Sequence, residues 1–202
     1  EQDRFKVPEG DVLVHAGDFS GIGTEREVHK FARWLKRLPH RWKIVIAGNH
    51  DRFFEKQPEM ARAYLEPDVI YLQDSGCEIE GLRFWGSPWQ PWFMDWAFNL
   101  PRKGEKLRAK WNLIPMDTDV LITHGPPYGV LDEVRPRMNA WGSAEEGSGN
   151  LGCEEVAIRL AAVRPRLHVF GHIHDGAGFL QKDGTTYVNA SVCDEAYKPV
   201  NP

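Results

Sequence analysis

Four short stretches carry side chains able to hold metal ions, and each follows an apolar run: Asp18 in "HAGD", Asn49, His50 and Asp51 in "AGNHD", His124 in "THG", and His172 and His174 in "GHIHD". An aspartate can bridge two cations through its two oxygens. Neutral imidazoles and an amide oxygen then complete the coordination shells without cancelling the charge needed to polarise a phosphate. Two metals ~3.5 to 4 Å apart can hold a hydroxide between them and bind phosphoryl oxygens for in-line displacement. Each stretch alone also has a structural reading. Gly-Asp is a common turn or cap signal, and His124 precedes a rigid Gly-Pro-Pro turn that a satisfied structural histidine would suit. "GHIHD" says more, because histidines at i and i+2 of an extended chain point to one side and can reach adjacent metals. The conjunction of all four points to metal chemistry. His50 is left over from ligation. With Asp51 placed to orient it and raise its basicity, it is the candidate to stabilise the transition state or protonate the leaving oxygen.

The elements that must position these residues are short β-rich runs alternating with helical patterns. "DVLVHAG", "KIVIAG", "DVLITHG" and "RLHVFG" read as buried strands. "TEREVHKFARWLKRL" places Val28, Phe31, Trp34, Leu35 and Leu38 at helical spacing, with Thr24 as N-cap, Glu27 three residues on and Pro39 as a stop. A helix over 53–65 is interrupted early by Pro58, and further helices fall in "EKLRAKWNLI" and "GCEEVAIRLAAV". Glu80-Gly81 and Asp183-Gly184 mark hairpins. This order predicts an α/β domain with mixed sheets and helices outside, its site at the carboxyl ends of the strands.

Composition narrows the partners. At 202 residues the chain suits one domain with a substantial core, and its aromatic content (8 Trp, 10 Phe, 5 Tyr) makes that core ring-rich. A net charge of -4 with no basic run argues against long nucleic acid and leaves a small phosphodiester or nucleotide substrate, whose charge a metal would meet. Three widely spaced cysteines suggest reduced thiols, no stretch reaches the ~20 apolar residues of a membrane span, and no signal-peptide pattern opens the chain, so a cytoplasmic protein is expected. Oligomeric state leaves no mark in the sequence.

"GD" (17–18), "GNHD" (48–51), "THGPP" and "GHIH" (171–174) resemble the ordered signature of the calcineurin-like metallophosphoesterases. "KIVIAGNH", "NLPRKG", "KWNLIP", "LITHGPPYG", "RPRLHVFGHIHDG" and "TTYVNASVCD" are similar to its metallophosphoesterase-domain-containing branch, from about residue 11 to the end. The resemblance implies a four-layer α/β/β/α sandwich of two mixed sheets. It implies Asp18 as bridging ligand, Asn49, His124 and His172 on one divalent metal, His174 on the other and His50 as catalytic histidine. The implied activity is phosphodiester hydrolysis, with cyclic nucleotides and aryl phosphodiesters as substrates. The ions would be two of manganese, iron, zinc or cobalt, or one if the site is incomplete. Some members of the branch carry glycine at the position of His172; this chain keeps the imidazole, so fuller activity is expected. The resemblance also implies an opening strand bearing Asp-x-His. Residues 1–17 contain none, and the expectation is that it lies upstream of Glu1. The rival readings are a nuclease of the same superfamily and a degenerate regulatory protein that binds nucleotide or metal.

Several residues near the motifs stay open. His15 and His168 lie within strands and fit core or supporting roles. Trp89, Trp92 and Trp96 suit either a hydrophobic cap or an aromatic wall that stacks a nucleobase. The 126–150 loop, acidic in "GSAEEGSGN", is either a lid after His124 or a surface segment.

Overall fold

The computed structural model describes residues 6–136, 148–194 and 196–201. In chain order the first elements are β1 (Val12–His15), α1 (Glu25–Lys36), β2 (Trp42–Val45), α2 (Arg52–Lys56), α3 (Pro58–Leu65) and β3 (Ile70–Tyr71). Next come β4 (Ser75–Ile79), β5 (Leu82–Ser87), the two-residue strands β6 (Gln90–Pro91) and β7 (Asn99–Leu100), and α4 (Glu105–Asn112). The chain continues with β8 (Val120–Thr123), the two-residue β9 (Glu133–Val134) and β10 (Gly149–Asn150), and α5 (Glu154–Val163). It finishes with β11 (Leu167–Phe170), β12 (Gly178–Lys182) and β13 (Thr185–Asn189).

Strands β1, β2 and β3 form a three-stranded sheet, parallel throughout. The larger sheet runs β12-β13-β11-β8-β5-β4. It is mixed: β13, β11, β8 and β5 are parallel, with antiparallel β12 and β4 on the two edges. The two edge pairs close through Asp183-Gly184 and Glu80-Gly81, all four residues at positive φ as a type I′ turn requires.

Three apolar clusters give the four layers. Ile44, Ile46, Phe84, Val120 and Ile122 lie between the two sheets. Val28, Phe31, Leu35, Phe54 and Leu65 join α1, α2 and α3 to the outer face of the small sheet. Leu107, Trp111, Val156, Leu160 and Phe170 join α4 and α5 to the large one. Helix α1 shows why its sequence folds as it does. Thr24 accepts from the Glu27 N–H while Glu27 accepts from the Thr24 N–H, and the buried stripe contains Val28, Phe31, Trp34 and Leu35. Fully burying side chains such as Phe31 and Leu35 stabilises by about 1.5–3 kcal/mol each. Pro58 divides the 53–65 segment, where its ring suits the first turn of α3 and not the interior of a longer helix. No helix among the described residues is long and apolar enough to cross a membrane.

Because β1 and β2 belong to one sheet, and β8 and β11 to the facing one, their carboxyl ends open side by side across the sandwich. Those four ends carry the four metal-capable turns.

Candidate metal centre

Asp18 leaves β1 with φ 59, a left-handed conformation that aspartate tolerates. Its Oδ1 accepts the His50 N–H at 3.0 Å, and Oδ2 lies 3.3 Å from Nε2 of His124. The same Nε2 is 2.8 Å from Oδ1 of Asn49, so residues from β1, β2 and β8 meet at one point. His172 leaves β11 with φ 71, and the Asp18, His124 and His172 ligand atoms all lie within 4.8 Å of one another. The sheets must approach closely here. A Cβ added at Gly48 would fall 2.3 Å from Asp18 Oδ1 and 2.5 Å from His124 Cε1, which explains the glycine between Ala47 and Asn49.

Three imidazoles share one pattern. Nδ1 of His124 is 2.9 Å from the Ala16 carbonyl, Nδ1 of His50 is 2.6 Å from the Gly21 carbonyl, and Nδ1 of His174 is 3.0 Å from the Asp194 carbonyl. A carbonyl only accepts, so each Nδ1 must carry the proton. In the neutral ring Nε2 then carries the lone pair, the tautomer a divalent metal needs. With a carboxylate, an amide oxygen and imidazoles converging, the donor set fits a divalent transition metal.

Electrostatics follow from burial and proximity. Burial alone would raise Asp18, but His124 beside it, then His50 and His172, hold its carboxyl well below the usual range. Burial pulls His124 down, yet Asp18 and the Ala16 carbonyl more than offset it and leave the imidazole raised. Burial and His124 lower His172 to about 3.

Asp51 does not orient His50 as expected. Its buried carboxylate accepts four hydrogen bonds, from the N–H groups of Asp18 (2.8 Å), Gly48 (2.7 Å) and Ser20 (3.1 Å) and from the Ser20 hydroxyl (2.6 Å). Those donors come from the turns after β1 and β2, so Asp51 ties the two turns together. The task of holding His50 falls to the Gly21 carbonyl and to the Trp96 ring, whose centroid is 4.2 Å from the imidazole. Burial, then the Asp18 charge, push the Asp51 carboxyl up to about 7 against the bonds from Ser20 and Gly48.

His174 begins a short 3-10 turn, His174–Gly176, and is not within the 4.8 Å group that joins Asp18, His124 and His172. Buried Ile173 separates the two histidines, and its carbonyl accepts from the Asn189 amide, which also donates to Leu131. Sequence reasoning passed over Asn189, although it sits inside the quoted "TTYVNASVCD". It could not have found Gly21, Ala16 or Asp194, which act through backbone carbonyls that any residue supplies.

The tryptophans do not form one wall. Trp89 packs on Phe98 and donates to Asp74, Trp92 is exposed, and Trp96 alone faces His50. Residues 137–147 of the 126–150 loop, including most of "GSAEEGSGN", lie outside the described residues. Its stems are fastened by Asp132, which accepts from Gly129, Gly152 and Asn150, and by Arg102, which donates to the Leu151 and Gly152 carbonyls.

His15 and His168 stand behind the site. Nδ1 of His15 accepts the Gly17 N–H at 3.3 Å. His168 is fully buried, with Nε2 2.8 Å from Thr123 Oγ1, whose own proton goes to the Gly125 carbonyl in the turn after His124. Burial lowers His168 from 6.5 to about 3. The folded pKa lies below the unfolded one, so this stability is complete above about pH 6.5 and is lost as pH falls toward 3. Denaturant unfolding of metal-free protein should therefore show His168→Gln losing less stability than the wild type between pH 6.5 and about 4.5, by about 2 kcal/mol. Equal losses in the two proteins would remove His168 from the account.

Comparison with known proteins places this geometry. A family model described as calcineurin-like phosphoesterase matches residues 2–176. The human and mouse proteins called metallophosphoesterase domain-containing protein 1 are each 47% identical to this chain over 225 residues, covering 99% of it and 65% of their own length. A UPF0046 protein of Caenorhabditis elegans is 39% identical over 214 residues, covering 96% of this chain and 73% of its own. A solved structure superposes with a TM-score of 0.60 at 19% identity over 82% of this chain and 63% of that one, a likeness of fold alone. The chain thus spans 65% of the length of its human and mouse relatives.

Proposed function

The chain belongs to the calcineurin-like phosphoesterase family, and from that membership we propose that it is a metal-dependent phosphodiesterase acting on small substrates. The observation that carries the reading is the common setting of His50, His124 and His174, each turning Nδ1 to a backbone carbonyl so that Nε2 is the nitrogen left for a metal or a reacting proton. Asp18, Asn49, His124 and His172 would hold one divalent ion, and Asp18 with His174 part of a second. Bound ions of manganese, iron, zinc or cobalt would supply the positive charge that polarises the phosphoryl group and makes water a nucleophile near neutral pH.

The protein's own groups do the rest. Asp51 fixes the spacing of the Asp18 and Gly48 turns. His50, held by Gly21 and Trp96, keeps Nε2 for the departing alcohol oxygen, to which it would pass a proton once the ring is protonated there. The second ion would need further ligands, and the edge of β1 opposite β2 has no partner strand among the described residues.

Cyclic nucleotides and aryl phosphodiesters are the substrates we propose, since the net charge of -4 offers no attraction to a long polyanion. No disulfide joins Cys77, Cys153 and Cys193, and we assign the protein to the cytoplasm on that reading of its thiols. The test is turnover of a cyclic nucleotide, an aryl phosphodiester and a linear oligonucleotide, with added Mn2+ and after chelation. Hydrolysis of the first two that chelation abolishes is the expected result. Equal hydrolysis without metal would refute the reading, and preference for the oligonucleotide would transfer it to a nuclease.

A further inference from the structure

The cleft histidines face a rim of aromatic rings that metal chemistry does not require. Phe93 meets His172 at 5.6 Å, Trp96 lies against His50, and Tyr197 stands 6.2 Å from His50 and 5.8 Å from His174. The Tyr197 ring is nearly perpendicular to both imidazoles, at 79° and 84°. It is 55% exposed, and Phe93 is 45% exposed. Rings this open contribute little to a core, and at the mouth of a polar site they are what a flat ligand group would cover.

Tyr197 is also built into place. The segment after β13 folds over the cleft and is wound about Asp194, which accepts from the Ala196 and Lys198 N–H groups through Oδ1 and from the Tyr197 N–H through its carbonyl. That carbonyl also holds His174, so the loop that carries the ring fastens a candidate metal ligand as well. Tyr197 itself adopts φ 56, a left-handed backbone that disfavours a bulky side chain and that glycine would occupy freely. An exposed ring kept at an unfavourable backbone position marks a functional use.

Resting on the phosphodiesterase reading of this centre, we propose that Tyr197 is a specificity-determining residue whose ring receives a planar apolar ring on the substrate's ester group. Aryl-substituted phosphoryl compounds would then bind better than alkyl ones of the same charge. The experiment measures, by titration calorimetry, the affinities of phenylphosphonate and methylphosphonate for Mn2+-loaded wild type, Tyr197→Phe and Tyr197→Gly, with a thermal melt of each. The wild type is expected to prefer the phenyl compound about tenfold, the size of one ring-stacking contact. Tyr197→Phe should keep that ratio. Tyr197→Gly should bring it toward one without lowering Tm, because glycine relieves the left-handed backbone. A wild-type ratio near one, no binding of either phosphonate, or a ratio that survives in Tyr197→Gly overturns the proposal, and so does a lower Tm with the ratio unchanged. Turnover decides the underlying reading separately. A chain that hydrolyses phosphodiesters without ring preference loses only this inference, and one with ring preference but no turnover loses only that reading.

Discussion

Asp18→Asn is expected to lower metal affinity by at least ~100-fold and to take turnover down with it. Asp18 supplies the only negative charge in the group it forms with His124 and His172. At ~4 Å and an effective dielectric of ~20, one pair of unit charges is worth about 4 kcal/mol, and a divalent ion doubles the interaction. If only a third of that survives solvent and reorganisation, the loss still exceeds a factor of 100. Geometry adds to the effect. One carboxylate oxygen accepts the His50 N–H and the other faces His124 Nε2. An asparagine can offer oxygen on one side only and must turn its NH2 toward the other. The fold should persist, since the substitution keeps shape and leaves the Asp51 bond to the backbone N–H of residue 18 in place. Metal content per chain after dialysis, measured beside turnover, checks the prediction. Metal retained at wild-type level with turnover lost would move Asp18 from holding the ion to acting on the substrate.

Much of this site was legible because side-chain type and strand ending coincide. Asp18, Asn49, His124 and His172 each follow an apolar strand, and parallel strands deliver their carboxyl ends to one side of a sandwich. The Thr24–Glu27 box, the break at Pro58 and the two hairpins were legible for the same reason: each is dictated locally by residue chemistry. Illegible were the partners that act through backbone. "NHD" suggests an aspartate orienting the histidine before it, yet the chain turns so that Asp51 faces inward to the Asp18, Ser20 and Gly48 N–H groups. A carbonyl 29 residues earlier in sequence, that of Gly21, takes the His50 imidazole instead. Sequence spacing sets which residues are near one another along the chain, whereas here the decisive neighbours come from the next strand. Tyr197 was invisible on the same grounds. It lies beyond the last motif, and its ring reaches the site only because the terminal segment folds back over His174.

His50→Ala separates chemistry from metal binding. His50 is not in the Asp18, His124 and His172 group, and its Nδ1 proton is committed to Gly21. Removing the ring leaves the backbone N–H of residue 50, which bonds Asp18, untouched. Metal content should therefore stay close to wild type. Turnover should fall by ~10²–10⁴, the range that loss of a positioned proton donor costs, and the loss should appear mainly in kcat. The nature of the leaving group sharpens the test. A nitrophenolate departs readily without a proton, whereas an alkoxide does not, so the loss should be much smaller for a nitrophenyl ester than for an alkyl phosphodiester. An equal loss on both esters would deny His50 a proton-donor role and assign it to stabilising charge on the phosphoryl group. Loss of metal from His50→Ala would make it a ligand, and the Gly21 and Trp96 contacts would then serve to hold a metal-binding imidazole.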